Sequence, residues 1–148
     1  MSAGIANNKI PEFRRALRKE QERRLTRAAI IVNRTAKELL SVSGTGVRGP
    51  SGKMVRAVKR TRKTFYGAFP SRPGEPPRKQ TGRLRGSVAW ELISGLAARV
   101  GTNVKYGRYL QLGTSRMGKR PWLDVALKRS VPQITSIMNA PWRWEGTI

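Results

Sequence analysis

The sequence predicts an α+β fold: a long N-terminal helix and a C-terminal helix packed on a small antiparallel sheet, with a basic loop inserted between helix and sheet. Three observations predict it. Apolar residues recur at spacings of three and four over the first forty positions, alternate with polar ones after Arg83, and return to helical spacing after Arg120. A length of 148 residues with 38% apolar content suits a single domain with one modest core and some appendages. The organisation expected is a flexible N-terminus over 1–10, the long helix over 11–40, and a basic arm with a proline-rich elbow over 41–81. The sheet follows over 82–114, a helical region over 120–139 and a tail over 140–148.

The first helix is predicted to start at Pro11, whose missing N–H costs nothing in a first turn. Phe13, Leu17, Gln21, Leu25, Ala29, Val32, Ala36 and Leu39 make an apolar stripe with one polar interruption. The remaining faces are basic, and at about 1.5 Å per residue the helix spans about 45 Å, long for so small a domain. That length fits either an amphipathic helix lying on a sheet or a helix shared between subunits.

After SVSGTG the chain becomes dense in positive charge. From Arg48 to Arg85 there are twelve basic residues and a single acid, Glu75. Lys53, Arg56, Lys59, Arg60, Arg62 and Lys63 have no acidic partner within their own segment, and few apolar residues accompany them. A solvated loop, a nucleic-acid contact and a segment ordered by neighbouring subunits all fit this composition. The stretch GTGVRGPSGKM imitates a phosphate-binding loop but fails the pattern. Counting back from Gly52 and Lys53 puts Val47 where the first glycine belongs, and Met54 replaces the magnesium-binding hydroxyl residue.

The elbow PSRPGEPPRKQTG follows. Pro73, Pro76 and Pro77 fix their own φ and press the residues before them toward extended conformations, so Thr81 and Gly82 should enter the first strand at a set angle. In RLRGSVAWELI, Leu84, Gly86, Val88 and Trp90 alternate with Arg83, Arg85, Ser87, Ala89 and Glu91, which predicts a half-buried strand. AARVGTN reads as a second strand. VKYGRYLQLGT, with Tyr106, Tyr109, Leu110 and Leu112, reads as a third strand of a meander or as a short helical turn. Gly82 and Gly113 are candidates for positive φ or close backbone approach, and Thr114 for a bond that ends its segment.

Pro121 is predicted to open the last helix, with Trp122, Leu123, Ala126 and Leu127 on one face, and Pro132 to break or restart it. In the tail, Trp142 and Trp144 read as docking anchors.

Charge and composition bound the function. Thirty-one Lys and Arg against eight Asp and Glu leave a formal charge of +23, which calls for a polyanion or for acidic neighbouring subunits. The absence of cysteine and histidine removes disulfides, thiolate catalysis and most metal and acid–base chemistry, so no enzyme and no cofactor are expected. No apolar run approaches a membrane span, and the N-terminus lacks the layout of a signal peptide, so use in a cytoplasm and no membrane partner are expected.

Three motifs, PGEPPRKQTGRLRGSV at Pro73 to Val88, VGTNVKYGRYLQLGT at Val100 to Thr114 and RPWLDVAL at Arg120 to Leu127, stand in order behind a long basic helix. In that order and spacing the chain resembles the head-tail joining, or tail-completion, proteins of tailed bacteriophages. The residues that carry the resemblance include Pro73, Gly74, Pro76, Pro77, Thr81, Gly82, Leu84, Tyr106, Tyr109, Gly113, Thr114, Pro121 and Trp122. The chain departs from that pattern at Gln111, where many members carry an acid, at Gly107, where alanine is common, and in the length of its basic insert.

The resemblance implies a virion protein of the neck, assembled in the host cytoplasm. It would form a ring with copies of itself, commonly sixfold, between head-closure or adaptor proteins and the tail tube or its terminator, around the channel through which the genome leaves. Genomic DNA is then a further contact for the basic arm. The competing expectation is a small basic nucleic-acid-binding protein of ribosomal type, supported by charge and by Phe65, Tyr66, Trp142 and Trp144 among basic residues.

Overall fold

The computed structural model of the chain describes residues 9–42, 47–48, 54–55 and 71–142. The described part begins with helix α1, Ile10–Leu39, which carries Pro11 in its first turn as expected. Its C-terminal half is buried through Ala28, Ala29, Val32, Ala36 and Leu39. The N-terminal half of the same stripe is covered less well, with Leu17, Gln21 and Leu25 half-buried and Phe13 exposed.

Within the basic insert lies a short antiparallel pair, β1 (Val47–Arg48) and β2 (Met54–Val55). The proline-rich elbow occupies 71–82. Gly74 takes φ 88° and donates its N–H to the Lys119 carbonyl at 2.8 Å, while Lys79 N–H donates to the Val42 carbonyl at 2.9 Å. These bonds tie the elbow at one end to the segment before the last helix and at the other to the exit of α1.

The elbow does not feed a strand directly. Gly82, at φ 79°, turns the chain into a short helix, α2 (Arg83–Ser87), with Gly86 N–H donating to the Gly82 carbonyl. The strand β3 starts only at Val88 and runs Val88–Ser94. The expected strand over Arg83–Ser87 is thus corrected. Leu84 and Val88 lie four apart, about one helical turn as well as two strand periods, and Gly86 between them has no side chain to distinguish the two. From Val88 onward the alternation is realised, with Val88 buried, Ala89 and Glu91 exposed and Trp90 half-buried.

Strand β3 pairs antiparallel with β4 (Ala97–Thr102) from Val88↔Thr102 to Ser94↔Ala97, with a register shift between Leu92 and Ser94. Arg99 and Glu91 face each other across the pair as an exposed ion pair. Among the described residues this sheet has two strands, so the expected meander ends at the hairpin. The next segment is a helix, α3 (Lys105–Leu112), because buried Gly107 and half-buried Leu110 point inward one turn apart. Gly113, at φ 80°, ends it.

The last helix, α4, runs Leu123–Met138. Pro121 precedes it by two residues and does not open it. Trp122 holds the N-cap position, and an outside side chain, Gln111, supplies the cap. Pro132 neither breaks nor restarts the helix. It is exposed, so water can serve the carbonyl that its missing N–H leaves unbonded.

Helix α1 packs along α4 and under the β3–β4 hairpin. The core joins Ala36, Leu39 and Leu40 of α1 and its exit to Leu84, Val88, Trp122 and Ala126. Fully buried Ala36 and Ala126 let the two helices approach closely, and the Ser130 hydroxyl lies within hydrogen-bond distance of Ala126 O (2.8 Å) and Thr35 Oγ1 (3.2 Å). At the far end, Arg24 donates to the carbonyls of Met138 and Ala140, each at 2.7 Å, and so caps the C-terminus of α4. Half-buried Trp142 lies over Phe13 with ring centroids 5.7 Å apart, as a docking anchor should.

Candidate interaction surface

The three sequence motifs, distant along the chain, meet at one place. Trp122 is the pivot: it is 2% exposed and its indole Nε1–H donates to the Gly107 carbonyl at 3.2 Å. Gln111 Oε1 accepts the backbone N–H groups of Trp122 (2.9 Å) and Leu123 (3.0 Å), two of the donors a helix N-terminus leaves open. Arg120 N–H donates to the Leu110 carbonyl at 2.7 Å, and Arg120 Nε donates to the Ser71 carbonyl at 2.9 Å. With the Gly74–Lys119 bond, these contacts lock the elbow, α3 and the entry to α4 into one unit.

Close packing at the junction requires particular glycines. A Cβ on Gly107 would stand 2.6 Å from Thr102 Cγ2 and 3.0 Å from Leu84 Cδ1. A Cβ on Gly113 would meet the backbone of Met117 and Lys119 at 2.9 Å, in addition to the strain of its positive φ.

Beside the junction a half-enclosed groove of about 480 Å³ opens between the elbow, α2 and α3. Its apolar lining includes Leu40, Pro77, Leu84, Leu110 and Tyr106, and its cations are Arg78, Lys79, Arg83, Arg85 and Arg120. Among the described residues no carboxylate lines it.

The sequence-predicted residues divide accordingly. Pro77, Thr81, Gly82, Leu84 and Tyr106 border the groove, whereas Tyr109 is exposed elsewhere on α3. Thr81 Oγ1 accepts from Arg83 N–H at 3.3 Å. Thr114 bridges to Met117 and its Oγ1 accepts from Arg116 N–H at 3.3 Å, the segment-ending bond expected of it. Pro73 packs against Gly118, and Pro76 is half-buried. Lys53, Arg56, Lys59, Arg60, Arg62 and Lys63, like Phe65, Tyr66 and Trp144, lie outside the described residues.

Nothing in the sequence marks Ser71 or Arg120 as partners, because their bond joins backbone to side chain across 49 positions. Gln111 stands out in the sequence only as a departure from an acid, yet it is the acceptor at the start of α4.

Electrostatics away from the groove centre on Glu20, which accepts from Arg23 Nε and Arg24 Nε, each at 2.8 Å. Hydrogen bonds from Arg23 and Arg24 hold its carboxyl below the usual range. Among the described residues no cluster of acids could hold a metal ion, and no helix is long and apolar enough to cross a membrane. Comparisons with protein families, with curated proteins and with solved structures find no significant match to this chain.

Proposed function

We propose that the chain is a structural subunit of a tailed-bacteriophage neck, forming a ring that completes the tail and joins it to the head around the DNA channel. The observation that carries the reading is the junction. The segments whose order and spacing resemble the head-tail joining proteins are bonded to one another through Ser87–Thr102, Leu110–Arg120 and Gln111–Trp122. They therefore belong to one structural unit.

Two further features suit a subunit that assembles with copies of itself. Among the described residues, β3 and β4 each have an unpaired edge, the kind of edge that accepts another chain. Helix α4 also carries a second apolar row, Leu127, Val131, Ile134 and Met138, at helical spacing, whose first two members are about half exposed (50% and 48%). In the ring the basic arm with Lys59, Arg60, Arg62 and Lys63 faces genomic DNA or an acidic neighbouring ring.

The test is sedimentation of nuclease-treated protein at high salt, alone and with head-closure and tail-tube proteins of the same phage. Ring formation or incorporation without nucleic acid is expected. A chain that stays monomeric with those partners, and assembles only on added DNA or RNA, would instead favour a nucleic-acid-binding protein.

A further inference from the structure

We propose that the groove between the elbow, α2 and α3 is a docking site for an acidic peptide segment of a partner protein, seating one apolar side chain between flanking carboxylates. The inference rests on the groove alone and holds whether or not the chain forms a ring.

Charge complementarity is the first argument. Arg78, Lys79, Arg83 and Arg85 border the groove, and none of them takes part in an ion pair, since those among the described residues involve Arg23, Arg24, Arg34 and Arg99. A cluster of like charges without counter-charge favours an anionic occupant. Arginine outnumbers lysine on this rim, and its planar fork matches a carboxylate with two parallel bonds.

The second argument is an unused polar group. Ser71 is 3% exposed, lines the same groove, and its hydroxyl has no hydrogen-bond partner. Buried hydroxyls are ordinarily bonded, and this one leaves an unused donor and acceptor in the wall of the cationic groove.

The floor decides between a peptide and a nucleic acid. Half-buried Leu110 and exposed Tyr106, above buried Leu40, Leu84 and Pro77, give the groove its apolar side. A phosphodiester chain would bond the rim and leave that floor uncovered, whereas a leucine-sized side chain between two acids satisfies both.

The experiment is fluorescence anisotropy of a blocked, fluorescein-labelled peptide, Asp-Glu-Leu-Glu-Asp, titrated with the full chain at moderate ionic strength. Saturable binding is expected, weakened about tenfold when the peptide leucine is replaced by serine. The double change Arg78→Ser and Arg85→Ser should weaken it by about tenfold or more. Lys128→Ser with Arg129→Ser, an equal loss of charge on exposed positions of α4, should leave it unchanged, and an unaltered unfolding curve for each variant shows that the fold is intact. The proposal is overturned if the peptide does not bind, if both double variants weaken it equally, or if the leucine is irrelevant. It is also overturned if a thymidine oligonucleotide binds with the same dependence on Arg78 and Arg85 and displaces the peptide at equal charge.

Discussion

Gly107 shows how tightly one position is specified. An alanine here would drive a methyl into Thr102 Cγ2 at 2.6 Å, and α3 would have to shift from Thr102 and Leu84, disturbing the Gly107 carbonyl that the Trp122 indole bonds. Overpacking of this kind costs about 1–3 kcal/mol, offset by up to about 1 kcal/mol of helix propensity. Gly107→Ala is therefore expected to destabilise by about 1–2 kcal/mol in urea unfolding. Adding Thr102→Ser removes the offending methyl and keeps the hydroxyl that bonds Ser87 (2.6 Å) and Val104 N–H (3.1 Å). The double variant should recover most of the loss, a coupling that independent sites would not give. Gln111 allows a second residue-level prediction. Gln111→Ala leaves two N–H groups at the start of α4 without their acceptor and should cost about 1–2 kcal/mol. Gln111→Glu keeps the acceptor and adds a negative charge at the helix N-terminus, so at neutral pH it should match or exceed the parent by about 0.3–1 kcal/mol.

At the scale of elements, α1 and α4 are joined at one end by alanines and Ser130 and at the other by Arg24 on the α4 C-terminal carbonyls. Glu20 orients that arginine, and the pairing lowers the Glu20 pKa in the folded state. Below the ordinary carboxylate value of 4.5 the unfolded chain binds the proton that folded Glu20 resists. The stabilisation is therefore present above that pH and is lost as pH falls through the lowered value. Glu20→Gln should flatten the acid limb of a stability–pH profile and leave the variant's deficit smallest at the lowest pH. Much at this scale was legible in the sequence. The extent of α1, the alternation from Val88 and the left-handed Gly82 and Gly113 follow from periodicity and backbone sterics. The start of β3 was not, because Leu84, Gly86 and Val88 satisfy two periods at once. Neither was the continuity of α4 through Pro132, since a proline's cost depends on whether its face meets solvent.

Across the whole molecule, the described core is small and a good deal of apolar surface lies outside it. Leu92, Ile93 and Leu96 at the hairpin tip, Leu112 on α3, and Leu127 and Val131 on α4 are all exposed. A chain of charge +23 that also exposes such surface is suited to burying it against other subunits while acidic partners balance its charge. The groove was not legible in the sequence, because its walls come from the exit of α1, the elbow, α2 and α3, and only folding brings them together. The chemistry of its rim was visible only as a general excess of Lys and Arg. If the hairpin edges and the α4 row join neighbouring copies, changing Leu127 and Val131 together to Asp should abolish ring formation in sedimentation and leave monomer stability nearly unchanged. Precipitation or unfolding of that variant would place the row in the core instead. The central claim, a ring in the neck, is tested most directly by electron cryomicroscopy of virions carrying the chain with a small fused density tag. The account predicts a ring of tag density at the head–tail junction, encircling the channel. Absence of the chain from purified virions that retain their necks, or tag density anywhere else in the particle, would contradict it.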